Sequence, residues 1–112
     1  MLDSDKAAGV FKVLSVPTRV RLVELLKNNS LCVNALACNL GITPAAVSQH
    51  LRILRDAGLV VGEKRGYFVH YRVSKKALQE LSETLKPFLN PNEKLEEIEL
   101  CANPTAAKNR KT

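Results

Sequence analysis

Ser48, Gln49 and Arg52 fall on one side of a helical wheel drawn over residues 44–57, and Val47, Leu51 and Leu54 fall on the other. A glutamine amide can pair bidentately with the edge of adenine, an arginine guanidinium with guanine, and a serine hydroxyl with a base or a phosphate. Ala45 and Ala46 are small enough to let such a face approach a partner closely. Thr43-Pro44 starts the helix, so Thr43, Pro44 and Ala45 count with Ser48, Gln49 and Arg52 as candidate contacts. Backbone N–H groups at that helix start suit a phosphate. His50, at the edge of the apolar stripe, either bonds a phosphate or packs against a neighbouring helix. A second set of reactive groups is the three cysteines, Cys32, Cys38 and Cys101. Their odd number and spacing match no structural zinc knuckle, so they read as free thiols, ligands or sensors.

The polar face alone is equally well explained as a solvated surface. The elements around it change that balance. Ala7, Val10, Phe11 and Leu14 give a first helix over about 5–14, and Pro17 opens a second over about 17–27. Ser30 is placed to cap a third helix over 31–40, which Gly41 ends. Two residues later Thr43-Pro44 begins the fourth, which stops at Gly58. Two helices joined by this short glycine-containing turn predict a helix-turn-helix.

Beyond Gly58 the period falls to two. Leu59-Val60-Val61 leads into a strand, Glu63-Lys64-Arg65-Gly66 reads as a turn, and residues 67–73 alternate as a second strand. The result is a β-hairpin whose basic tip, Lys64 and Arg65, suits phosphate or minor-groove contact, unless it is only a solvated turn. His70 lies on the second strand, points away from the apolar face and has no evident ligand partner. Ser74 caps a fifth helix over about 75–89, whose Leu78, Leu81, Leu85 and Phe88 form a narrow seam like a coiled-coil face. The expected fold is mainly α with a small hairpin, α-α-α-α-β-β-α. One domain spans 1–91, and residues 92–112 form a short acidic segment followed by a tail without apolar period, expected to be disordered.

The chain is 112 residues long with a formal net charge of +6. That surplus lies within residues 1–92, where thirteen Lys/Arg face seven Asp/Glu, and the remainder is balanced at four of each. A basic folded region suits a polyanionic partner. No apolar run is long enough to cross a bilayer, and the acidic start of the N-terminus does not read as a signal peptide, so a cytoplasmic protein is expected. The two histidines sit on the elements just described and no glycine-rich phosphate loop is present, which argues against an enzyme.

Residues 14–22 (LSVPTRVRL), 31–37 (LCVNALA), 42–51 (ITPAAVSQHL) and 54–60 (LRDAGLV), with the hairpin 66–73, together resemble the ArsR/SmtB family of metal- and stress-sensing repressors. The resemblance covers about residues 5–89. It implies a winged helix, a homodimer built from the first and last helices (Phe11 with Leu78, Leu81, Leu85 and Phe88), and repression through an imperfect palindrome in double-stranded DNA. It also implies an inducer that lowers DNA affinity. The family's Cys-Val-Cys ligand pair is met here by Cys32-Val33-Asn34, and Asn is a poor substitute for a soft thiolate. On a shared helix Cys32 and Cys38 stand about 120° and roughly 9 Å apart, too far for a disulfide or joint chelation. The candidate metal residues are therefore Cys32 and Cys101, taking arsenite, a soft metal ion or an oxidant. The alternative is three unrelated thiols with Cys38 in the core. A last-helix site of the zinc or nickel kind is not expected, because that helix carries no histidine. Two other readings stay open: a DNA-binding regulator without a small-molecule sensor, and a winged-helix protein-interaction module.

Overall fold

The computed structural model describes residues 4–92, 94–95 and 97–98. Cys101 and most of the expected tail lie outside them. The elements run α1 (Ser4–Val13), α2 (Pro17–Asn28), β1 (Leu31–Cys32), α3 (Val33–Leu40), α4 (Pro44–Asp56), β2 (Val60–Arg65), β3 (Phe68–Val73) and α5 (Lys75–Leu89).

Local chemistry sets most of these boundaries. Pro17 and Pro44 each occupy a first helical turn, where a missing N–H costs nothing. Thr43 Oγ1 accepts from the Ala46 N–H at 3.1 Å, and Ser74 Oγ accepts from the Ala77 N–H at 3.2 Å. Gly41 ends α3 in the left-handed region at φ 65°, and its N–H donates to the Ala37 carbonyl. With only Gly41 and Ile42 between α3 and the Thr43 cap, the two helices are held at a sharp turn.

Two expectations need correction. The third helix does not begin at residue 31, and Ser30 does not cap it. Leu31 and Cys32 are instead a two-residue strand paired antiparallel to β3, with Leu31 opposite Tyr71 and Cys32 opposite His70. Ladder bonds to a segment some forty residues away outcompete the local helical pattern there. The expected order therefore gains a strand, and the hairpin becomes a three-stranded sheet, β1-β3-β2. The wing turn also lies later than expected. β2 continues through Arg65, and the loop is Gly66-Tyr67, with Gly66 at φ 62° as a tight hairpin loop demands. Lys64 and Arg65 thus sit on a strand beside the tip rather than in the turn.

The core gathers Leu22 and Leu26 from α2, Leu36 and Ala37 from α3, Val47, Leu51 and Leu54 from α4, with Leu59, Val60 and Val73 from the sheet. It clamps α4 by one face and leaves the other outside. α5 has no fully buried residue: Leu78 and Leu81 touch the core edge, while α1 packs along the helix with the Phe11 and Phe88 rings 6.1 Å apart.

Candidate nucleic-acid interface

The buried stripe of α4 fixes what the helix can offer. With Val47, Leu51 and Leu54 sealed in the core, Pro44, Ala45, Ser48, Gln49 and Arg52 are exposed along the opposite side. The Thr43 cap, itself exposed, begins the same surface. The expected reading face is therefore assembled on a helix that cannot rotate without unpacking the core.

Of the two roles left open for His50, the structure shows the contact with a neighbouring helix. It is half-buried, and its Nδ1 accepts a hydrogen bond from Nε of Arg19 on α2 at 3.2 Å. A second Arg19 nitrogen, Nη1, donates to the Val13 carbonyl at the end of α1, also at 3.2 Å. Composition and periodicity gave no sign of Arg19, because its partner lies 31 residues away in sequence.

The wing carries a charge arrangement of its own. Arg72 on β3 donates through Nε and Nη2 to one oxygen of Glu63, at 3.0 and 2.9 Å, and Arg65 lies 3.8 Å from the other oxygen. These bonds, chiefly the one from Arg72, hold the Glu63 carboxyl below its ordinary value of 4.5. Because the folded value is depressed, any stabilisation from this group is present at neutral pH. It is lost as pH falls below the ordinary glutamate range and through the folded value. An NMR titration of the Glu63 carboxyl should therefore show a midpoint below that of free glutamate, returning towards it in Arg72→Ala. Glu63 offsets part of the Arg65 charge, whereas Lys64 has no ion-pair partner among the described residues. At the tip itself Tyr67 is fully exposed.

The thiols are placed differently from expectation. Cys32 lies on β1 and Cys38 on α3, so they do not share a helix and the helical separation argued for them does not apply. Cys32 is half-buried, while Cys38 is exposed and is no core residue. A shallow cleft beside Cys32 is lined by Val33, Asn34, Phe68 and Tyr71. His70 stands in one cross-strand row between Cys32 and Glu63, and its buried Nδ1 has no hydrogen-bond partner among the described residues. Among those residues no group of three or more His, Cys, Asp or Glu side chains is arranged to hold a metal ion.

The expected dimer seam divides in two. Leu78, Leu81 and Leu85 are half-buried within the chain, whereas Phe11 and Phe88 are exposed at 45% and 61%. No helix among the described residues is long and apolar enough to cross a membrane.

A capped helix anchored by one face, preceded by a tight turn and followed by a basic hairpin, defines a winged helix-turn-helix regulator. Residues 16–61 match the model of the bacterial regulatory protein, arsR family. The chain is 30% identical over 82 residues to the transcriptional repressor SdpR of Bacillus subtilis, covering 73% of this chain and 91% of that protein. It is 41% identical over 66 residues to the arsenical resistance operon repressor of Escherichia coli, covering 58% of this chain and 56% of that one. An ArsR-like transcriptional regulator from Rhodococcus sp. RHA1 superposes with a TM-score of 0.67 at 30% identity, over 75% of this chain and 79% of that structure. The chain belongs to the arsR family of DNA-binding transcriptional repressors, which are not enzymes.

Proposed function

We propose that this chain works as a cytoplasmic homodimer that holds an imperfect palindromic operator in double-stranded DNA and releases it when a thiol-reactive inducer binds. The observation that carries the DNA reading is the split of α4 into a sealed face and an exposed Ser48/Gln49/Arg52 face. In this motif the N-terminal part of the second helix enters the major groove. Thr43, Pro44 and Ala45 would then lie at the groove wall, Gln49 and Arg52 at base edges, and Lys64 and Arg65 along the flanking backbone. The exposed Phe11 and Phe88 rings, with the half-buried Leu85 one turn before Phe88 on α5, support a dimer through α1 and α5.

The test is operator affinity by fluorescence anisotropy for Gln49→Ala and Arg52→Ala. A bidentate base contact contributes about 1–3 kcal/mol of discrimination, so each variant should lose about 5- to 150-fold on the operator. Losses on a scrambled duplex should be smaller. Unchanged operator binding in both would remove α4 as the reader, and absence of DNA binding in the wild type would favour a protein-interaction module.

For the inducer, the half-buried Cys32 beside an open cleft supports a site shared with Cys101. Two thiols condense with As(OH)3 by forming two S–As bonds and releasing two waters. Allosteric couplings typically amount to about 1–3 kcal/mol, so arsenite should weaken operator binding by about 5- to 150-fold. Cys32→Ser should abolish that response while leaving binding without arsenite intact. A response that survives Cys32→Ser would exclude this site, and a wild type indifferent to arsenite, soft metals and oxidants would leave a regulator without a thiol sensor.

A further inference from the structure

Arg19 touches two elements whose positions matter to the proposed dimer–DNA complex. Its guanidinium donates to the last carbonyl of α1, at Val13, and to Nδ1 of His50 on α4. A guanidinium has donors and no acceptor. The bond therefore requires a lone pair on Nδ1, and a neutral imidazole so bound carries its single proton on Nε2. The only buried side-chain polar atom without a partner among the described residues is on His70, so Nε2 of His50 is not sealed from solvent. It stands immediately after Ser48 and Gln49 in the chain, at the border between the exposed face of α4 and its buried stripe. A donor at that border is placed for the phosphates that wall a groove, while its neighbours are placed for the bases.

We propose that Arg19 is a positioning residue for DNA recognition. It holds His50 in the Nε2–H tautomer, turned so that this N–H donates to a phosphate oxygen beside the reading helix. The cation also lies at the C-terminal end of α1, where the helix dipole and the free carbonyls favour positive charge. One side chain thereby ties the end of α1 to the reading helix. The inference rests on the proposed DNA-binding role of α4.

Two measurements on the full chain test it. In the free wild-type protein, 15N spectra of the imidazoles should show His50 protonated on Nε2 alone, and Arg19→Ala should convert it to a mixture of tautomers. On the operator, Arg19→Ala and His50→Ala should each lose about tenfold or more, as expected for a hydrogen bond to a charged phosphate. The double variant should lose no more than the worse single one, because the two act as one unit. His50→Gln, whose amide can accept from Arg19 and donate outward, should recover most of the loss. A wild-type His50 protonated on Nδ1 would overturn the proposal even if Arg19→Ala fails to fold. So would losses that multiply in the double variant, or tight binding by Arg19→Ala equal to that of the wild type. A wild type that binds no duplex at all would instead overturn the parent reading, and this one with it.

Discussion

Leu51→Ala should cost the folded state about 2–5 kcal/mol, the range for emptying a close-packed leucine site. Leu51 is 1% exposed and lies between Val47 and Leu54 in the stripe that seats α4 against α2 and α3. The lost transfer energy and the cavity add, and neighbours from several elements cannot all collapse into the gap. A domain of this size has a total stability of roughly 5–15 kcal/mol, so the variant should approach the edge of folding. Chemical denaturation followed by circular dichroism would read this as a lower midpoint with an unchanged slope. Operator affinity should fall more than any surface change predicts, because the seat that aims Gln49 and Arg52 is the same stripe. A cost under about 0.5 kcal/mol, the scale of an ordinary surface substitution, would contradict the packing described.

Leu85→Glu should act in the opposite way, sparing the fold and removing the assembly. Leu85 is half-buried, lies outside the core cluster, and sits on α5 between Leu81 and Phe88 at the spacing of a helix–helix seam. In the proposed dimer a carboxylate there is buried against its own copy on the partner, where two like charges repel and neither is solvated. Sedimentation equilibrium should show a monomer with near-native helix content. Two half-sites held by one dimer gain about 10²- to 10⁴-fold over a single engagement, so the monomer should lose affinity on that scale for a palindromic operator. A variant that remains dimeric would move the interface away from this seam.

The parts of this fold visible in the sequence were those set by neighbours in the chain. Thr43-Pro44, Gly41 and Ser74 act within one turn of the helices they bound, so the helix-turn-helix and the start of α5 could be placed from residue chemistry. β1 could not. Two residues carry no period, and the reason Leu31 and Cys32 are extended is their pairing with Tyr71 and His70. The same distance in sequence hid the Arg19–His50 bond and put His70 beside Cys32 without warning. In the wing the charged run Glu63-Lys64-Arg65 suggested a turn, whereas cross-strand pairing with Phe68, Val69 and His70 keeps those residues in the ladder. Glu63 pairs with Arg72 and also lies beside Arg65, so among the described wing residues Lys64 is the cation without an ion-pair partner.

The most direct test of the central claim is a salt series of anisotropy measurements on DNA from upstream of the protein's own gene, with a scrambled duplex as control. Reading by α4 with the wing on the backbone predicts tight binding to the upstream fragment and weak binding to the control. Log affinity should fall linearly with log salt at about −0.9 per phosphate neutralised. Equal, salt-steep binding to both duplexes would reduce the protein to a non-specific polycation, and no binding to either would contradict the account.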